Sequence, residues 1–251
     1  MDNLRLSMRV LVRTNDKLVE AREYRSTMDG DTYIEGREGS EFIIRISNNT
    51  HRRVLAIPSV DGLSTLDGTE ASAKSRGFIL EPFTKVDVAG WIRTSEKAAA
   101  FYFAGMKDGK DDAYVARMGK DVRHKGVIGV VFLSEDRPHR LSHPRHGSAM
   151  LMASSASSSS KGVLRSVHAQ SAPSSSFLDE QTLGTGYGRE TEFSTTSGRF
   201  SRGAEIDRFA LFYADERGLK RRGIDITRPT IRKPNPFPGD VSCPAPPGYE
   251  G

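Results

Sequence analysis

The sequence predicts an all-β protein, an antiparallel β-sandwich of the jelly-roll or immunoglobulin-like type. Two observations support this prediction. Short segments that suit β-strands follow one another along most of the chain, and turn-forming dipeptides separate them at intervals of about 8 to 12 residues. A helical pattern is found at one place only, residues 111–119, where Gly119 is expected to act as the C-cap.

The segments divide into two kinds of strand. Three alternate apolar and polar residues, as strands with one solvated face do: residues 4–14, 41–48 and 84–91. Four are more continuously apolar and suit strands buried between two layers: residues 52–60, 76–82, 98–105 and 125–133. Pro58 cannot donate a ladder hydrogen bond, so it places its segment at a sheet edge or at a bulge.

Turn residues lie between these segments. Four dipeptides adopt positive φ at low cost and are expected to form the turns: Asn48-Asn49, Asp61-Gly62, Asp67-Gly68 and Asp108-Gly109.

A serine-rich tract, ASSASSSS at residues 153–160, interrupts the strand pattern. Residues 189–200 and 205–216 beyond it predict two further strands joined by a turn around Ser197-Gly198. An isolated two-stranded hairpin is only marginally stable in water, so these strands must complete a sheet that begins before the tract. The tract is therefore expected to be an excursion from one domain.

The predicted organisation is thus a single β-sandwich domain built from residues 1–137 and 181–226. Residues 138–180 form a Ser-rich inserted loop, which is expected to be disordered or extended because it holds too few apolar residues for a core. Residues 227–251 form a Pro-rich, extended C-terminal arm.

Parts of the sequence resemble a family of uncharacterised bacterial and phage-associated β-rich proteins. The resemblance is carried by VDGLSTLDG, AGWIRTS, GVIGVVF and LGTGYG, within residues 35–68, 77–104, 114–132 and 183–190. It covers most of residues 30–220 and skips the serine tract, so it implies one domain with an insertion of variable length. It implies no catalytic residue, because none is assigned in that family.

The positive charge is unevenly distributed. The chain carries a net charge of +5, yet residues 1–137 hold 22 Lys/Arg against 21 Asp/Glu. Residues 138–176 hold 4 Lys/Arg and no Asp/Glu. Residues 177–216 hold 4 Lys/Arg against 8 Asp/Glu, and residues 217–251 hold 7 Lys/Arg against 3 Asp/Glu. A nearly neutral body with basic segments is therefore predicted, and basic segments favour acidic surfaces or nucleic acid.

Several motifs could carry chemistry, but each has a simpler interpretation. The glycine-rich GTGYG, residues 184–188, lacks the following helix that a phosphate-binding loop needs, so a bend at re-entry into the sheet is favoured. The segment HRLSHPRH holds three histidines close together, His139, His143 and His146, which could suggest a metal site. We favour the interpretation that this segment is a basic, solvated arm. Cys243 has no Cys or His partner nearby and is interpreted as an incidental thiol.

Single side chains with possible chemical roles also have simpler interpretations. Asp61 and Asp67 could pair as acid and base, but each precedes glycine, and capping of its own turn is favoured. Trp91 is expected to be half-buried core with a locally bonded indole N–H rather than an exposed sugar-binding platform. Ser64 and Ser134 have no plausible His and Asp companions. No enzymatic activity and no cofactor or metal are therefore expected.

The C-terminal region gives the strongest functional signal. The predicted partner-binding residues are a basic cluster and an aromatic residue in the arm: Arg217, Lys220, Arg221, Arg222, Arg228, Arg232, Lys233 and Phe237. Clustered Lys and Arg bind acidic or phosphate surfaces without reading sequence. A solvated charged strand end is the alternative interpretation.

The sequence favours a structural or interaction protein of a large assembly, most specifically a phage virion accessory such as a capsid decoration or cement protein, or a head–tail or tail component. The alternative is a β-sandwich module that binds carbohydrate or another small ligand. Expected partners are other structural proteins of the assembly. Self-association is left open, and contact with nucleic acid is not favoured. No run of 18 apolar residues and no apolar signal segment is found, so we expect a virion or otherwise cytoplasmic protein without a membrane span.

Overall fold

The computed structural model describes residues 6–107, 109–136, 183–194 and 197–226. These residues form two large β-sheets, a small hairpin and short helices, which confirms the predicted all-β, sandwich-like class. The choice between a jelly-roll and an immunoglobulin-like fold stays a prediction. The inserted loop, residues 138–180, and the C-terminal arm, residues 227–251, lie outside the described residues. Their predicted organisation stays a prediction.

The first sheet contains eight strands among the described residues. They are β1 (Leu6–Thr14), β2 (Lys17–Glu20), β5 (Glu41–Asn48), β9 (Thr84–Val88), β10 (Gly90–Ile92), β11 (Lys97–Ala104), β15 (Gly184–Thr185) and β16 (Glu190–Glu192). Strand β5 is central, because it pairs with β1 along one edge and with β9 and β11 along the other. The short strands β15 and β16 both pair with β11, so the chain beyond the serine tract joins this sheet.

The second sheet contains seven strands among the described residues. They are β3 (Glu23–Arg25), β4 (Thr32–Glu35), β6 (Val54–Val60), β7 (Leu63–Ser64), β8 (Phe78–Leu80), β14 (Val127–Glu135) and β17 (Arg202–Ala214). The pairings are antiparallel except that of β4 with β17, which is parallel. The prediction that residues 189–216 pair with earlier strands is confirmed. However, β16 and β17 enter different sheets and do not form a hairpin with each other.

The remaining elements are short. Strands β12 (Met106–Lys107) and β13 (Lys110–Asp111) pair with each other, and the helices are α1 (Tyr114–Arg117), a 3₁₀ turn (Val122–His124) and α2 (Glu216–Arg221). Helix α1 lies inside the segment predicted to be helical, and Gly119 follows it with φ 63°. The hairpin and α2 were not predicted.

One apolar core joins the two sheets. Phe42 and Phe103 of the first sheet stack with their ring centroids 4.6 Å apart, and Phe103 lies 5.2 Å from Tyr213 of the second sheet. All three side chains are at most 1% exposed. Burying a large side chain of this kind contributes roughly 1.5 to 3 kcal/mol, so this contact between sheets is a main source of stability.

Two local predictions differ in detail. The carbonyl of Pro58 accepts from the N–H of Thr65 at 3.4 Å, on the side of β6 away from β14. The proline nitrogen therefore points between the short strands β7 and β8, where no ladder bond is lost. Strand β6 pairs with β14 on one side and with β7 and β8 on the other, so the prediction of an edge strand or a bulge is wrong. Asn48 does not form its turn through positive φ. Its side-chain amide donates instead to the carbonyl of Arg52 at 2.8 Å.

The described chain stops at one end of β14 and resumes at the other. The N–H of Asp136 donates to the carbonyl of Ser201 beyond the last residue of β14. The N–H of Thr185 donates to Asp61, whose own N–H donates to the carbonyl of Val127 at the first residue of β14. With a rise of about 3.3 Å per residue, these two points lie about 26 Å apart along the strand. The described residues on either side of the serine tract, Asp136 and Leu183, therefore lie toward opposite ends of β14.

Candidate functional site

Asp61 lies at the centre of a buried polar cluster. It occupies the turn between β6 and β7 with φ 51°, followed by Gly62 with φ 78°, as the Asp-Gly dipeptide predicts. Its side chain, however, points into the protein and is 1% exposed. The prediction that Asp61 caps its own turn is therefore wrong.

The carboxylate of Asp61 accepts hydrogen bonds from three separate parts of the chain. Oδ1 accepts from the Gly126 N–H at 2.8 Å and from the Tyr213 hydroxyl at 2.6 Å, and Oδ2 accepts from the Thr185 N–H at 2.7 Å. Since the Tyr213 hydroxyl uses its hydrogen to donate to Asp61, its oxygen can only accept from Thr185. The Thr185 hydroxyl therefore donates to the Tyr213 oxygen, at 2.8 Å. These bonds connect both sheets to the segment that follows the serine tract.

Burial dominates the electrostatics of this cluster. Loss of hydration raises the pKa of the Asp61 carboxyl to about 6, while the hydrogen bonds and the positive charge of Lys125 act in the opposite direction. Burial and the neighbouring carboxylate raise the pKa of Tyr213 well above its ordinary value. Because the carboxylate is buried and bonded to groups from three separate parts of the chain, we interpret the cluster as a structural link between them.

Asp67, the other aspartate considered as an acid or base, caps its own turn as predicted. Its Oδ1 accepts from the N–H and from the hydroxyl of Thr69, at 3.1 Å and 2.7 Å, within its own exposed turn. Gly68 follows with φ 64°. The two aspartates thus serve different purposes and do not form an acid–base site.

The segment GTGYG returns the chain to the first sheet, and no helix follows it before β16. A Cβ added to Gly186 would lie 2.1 Å from Cζ of Tyr102, so glycine is needed for this close approach. The carbonyl of Gly186 accepts from Nε1 of Trp91 at 3.0 Å. Trp91 is 3% exposed, so its predicted place in the core is confirmed, but it is buried rather than half-buried. The predicted local bond of its indole N–H is wrong, because Gly186 lies 95 residues away.

Helix α2 presents the first part of the predicted basic cluster. Asp215 caps the helix by accepting from the Gly218 N–H at 2.7 Å, and Leu219 is fully buried against a cluster that includes Tyr33 and Ile224. The helix therefore has a fixed position on β4 and β17. Its basic residues were predictable from composition, but its helical form was not.

Arg222 departs from the predicted partner-binding role. It is 8% exposed, its Nε donates to the Tyr33 hydroxyl at 3.1 Å, and its Nη1 donates to the Gly218 carbonyl at 3.0 Å. The guanidinium also lies 5.2 Å from the centroid of the Tyr33 ring. This side chain holds α2 against β4, so it is not part of the surface offered to a partner.

Three predicted residues, Arg217, Lys220 and Arg221, are exposed on α2. Lys220 also forms an ion pair with Glu216 at 2.7 Å, but both side chains are at least half exposed, so the pair is weak. The other predicted binding residues lie outside the described residues: Arg228, Arg232, Lys233 and Phe237. The structure thus brings three of the eight together on one exposed element.

The remaining candidates add no site. His139, His143, His146 and Cys243 lie outside the described residues. In the described part of the chain, no group of three or more His, Cys, Asp or Glu could hold a metal ion. Ser64 is fully buried, and its hydroxyl accepts from the N–H of Leu66 at 3.4 Å. The hydroxyl of Ser134 donates to the carbonyl of Ala204.

Comparisons with known proteins found no matching family model, no matching curated protein and no matching solved structure. The resemblance to phage-associated proteins therefore stays a prediction. Within the described ranges, neither α-helix has the length and apolar character needed to cross a membrane.

Proposed function

We propose that this protein is a structural or interaction component of a large assembly, which it contacts through α2 and the basic residues that follow it. The observation that carries the proposal is the exposed triplet Arg217, Lys220 and Arg221 on a helix anchored to the sandwich. A fixed helix removes the cost of ordering the backbone on binding, although the long side chains still lose rotamer freedom, so the charges form a partly preorganised contact surface.

The charge balance of the body favours α2 as the contact surface. Many body charges are matched within the fold. Arg45 forms a two-pronged pair with Asp87, with both N–O distances 2.7 Å, and Glu41 accepts from Arg13 and from Arg189. Two segments carry the net positive charge: residues 138–176, with 4 basic and no acidic residues, and residues 217–251, where 7 basic residues oppose 3 acidic ones. Of the two, the second includes exposed basic residues on a described helix. An acidic protein surface is the partner that this distribution favours, and nucleic acid is the less favoured one.

The finer proposal is a virion accessory protein of a phage, in the capsid, the neck or the tail. It is supported by the sequence resemblance to phage-associated proteins and by an architecture that combines a compact sandwich with basic terminal residues. The corresponding location is the virion, with synthesis in the host cytoplasm.

The alternative, a carbohydrate- or ligand-binding module, has less support. Trp91, the one tryptophan that could have offered a sugar-stacking face, is buried and bonded to Gly186. Sugar-binding aromatic platforms need an exposed ring. We therefore retain the assembly proposal as the stronger one.

The proposal is tested by sedimenting a lysate of cells that make the chain in its native context. A variant carrying Arg217→Glu, Lys220→Glu and Arg221→Glu should be lost from the large particles with which the wild-type chain migrates. Reversal of three charges on a preorganised surface removes attraction and adds repulsion.

A matched control reverses three exposed basic residues on other parts of the body, namely Arg52→Glu, Lys74→Glu and Lys120→Glu. This control changes the net charge equally and should still sediment with the particles. Equal retention of both variants would refute α2 as the contact, and migration of the wild-type chain as a 27.6 kDa monomer would refute the assembly role itself.

A further inference from the structure

Strand β17 has a long edge that no described strand covers. Its residues from Arg202 to Phe212 pair with β14 on one side, and on the other side β4 pairs only with residues 212–214. The uncovered part is exposed, and Ile206 within it is 47% exposed. An open edge of this kind offers unpaired backbone groups to another strand.

The backbone groups that point outward can be assigned. The N–H of Tyr213 donates to the Gly126 carbonyl on the β14 side. Because the direction alternates along a strand, Phe209 also faces β14, while Ala210 and Arg208 face the open side. The N–H of Arg208 donates to the carboxylate of Asp207 at 2.9 Å, as expected of a backbone donor that has no partner among the described strands.

The C-terminal sequence has a pattern that suits such an edge. Residues 231–239 read IRKPNPFPG, with prolines at positions 234, 236 and 238. In an extended segment all three proline nitrogens would point to one side, and the N–H groups of Lys233, Asn235 and Phe237 to the other. Such a segment can pair along one edge only, as an outermost strand must.

The last described residue before the arm, Ile226, lies beside the open edge. Ile226 packs against the cluster that contains Tyr33, and Tyr33 is the partner of Phe212 with ring centroids 5.4 Å apart. Ala210 lies two residues, or about 7 Å, further along the edge. The four residues 227–230 reach at most about 14 Å, which covers this distance.

We propose that residues 231–239 of the same chain dock antiparallel on the open edge of β17, with their three prolines facing solvent. The short connection gives the chain's own segment a high effective concentration relative to a second copy. Docking would cover the edge and prevent pairing between sheets of different molecules. This inference does not depend on the assembly function proposed above.

The test measures amide hydrogen exchange by NMR in the full-length protein and its variants. Asn235→Pro with Phe237→Pro removes two donors from the pairing side. The matched control, Pro234→Ala with Pro236→Ala, changes the solvent side only. The N–H of Phe209 is the internal reference, because it faces β14 in every variant.

We expect the Ala210 amide to exchange at least about tenfold more slowly in the full-length protein and the control than in the pairing-side variant. Truncation after Ile226 should speed its exchange equally. Identical Ala210 exchange in all four proteins would overturn the proposal. If the Ala210 amide became protected only as the protein concentration rises, and light scattering showed a dimer, the docked segment would come from a second copy of the chain. That result would also overturn the proposal.

Discussion

The two Asp-Gly turns at residues 61–62 and 67–68 share a dipeptide and lie six residues apart, yet their aspartates do different things. Both turns use a glycine with positive φ, as the dipeptide predicts. Asp67 accepts hydrogen bonds from Thr69 within its own exposed turn, whereas Asp61 is buried and bonded to groups up to 152 residues away. Local sequence therefore determined the backbone of both turns, but the role of each side chain depends on what packs around it.

The largest expected effect separates these two aspartates. Asp61→Ala leaves two backbone N–H groups and the Tyr213 hydroxyl buried without their acceptor, which should lower the free energy of unfolding by about 3 to 5 kcal/mol. Asp67→Ala breaks an exposed turn contact and should cost about 1 kcal/mol or less. Urea unfolding of both variants measures the difference. Similar losses in the two would mean that the buried cluster is not a main support of the fold.

The second prediction concerns pH. The folded-state pKa of Asp61, about 6, lies above its usual 3.8. The part of the stability that is linked to protonation of Asp61 is therefore fully present below a pH of about 4 and is lost as pH rises through 6, with a total on the order of 3 kcal/mol.

The stability of the wild type relative to Asp61→Asn, which cannot titrate at this position, should accordingly fall between pH 4 and pH 7. Urea unfolding of both proteins at several pH values measures this difference, and other groups cancel from it. A relative stability that rises with pH would show that the three donors outweigh burial and hold the carboxylate charged.

The same contrast of packed and exposed residues applies to the basic cluster of α2. Arg222→Ala removes the hydrogen bonds to Tyr33 and Gly218 and should cost about 2 kcal/mol, because both partners are buried. Arg217→Ala changes an exposed side chain and should stay within about 0.5 kcal/mol of the wild type. Thermal and urea unfolding should rank the two variants clearly. Equal stability would remove the structural role of Arg222.

The smallest expected effect concerns Lys220. Its ion pair with Glu216 is exposed and spans one helical turn, so Lys220→Gln should lower the free energy of unfolding by only about 0.3 to 0.5 kcal/mol. Raising the salt concentration should reduce that difference further. A loss above about 1 kcal/mol would indicate that this pair supports α2 more than its exposure implies.

The sequence predicted the fold class and most of the longer strands, because alternation and apolar runs are local signals. Strand β5 matches its predicted segment, residues 41–48, at both ends. The sheet that each strand after the serine tract joins could not be predicted. Nothing in residues 189–216 shows that β16 joins β11 while β17 joins β14, since sheet membership depends on distant partners.

The candidate site shows the same limit. Arg217, Lys220 and Arg221 were identified from the clustering of basic residues in the sequence alone. Arg222 could not be separated from them, since its burial depends on Tyr33, which lies 189 residues away. Asp61 likewise carried no sequence signal that distinguishes it from Asp67.

The claim that α2 and the basic residues after it contact an acidic neighbour is tested most directly by the salt dependence of that contact. The wild-type chain in its native assembly is washed with increasing salt, and the fraction that stays bound is measured by sedimentation. We predict a steep fall in binding as the screening length drops from about 10 Å at 0.1 M to about 3 Å at 1 M salt. Retention that does not change across this range would contradict an electrostatic contact through the basic surface.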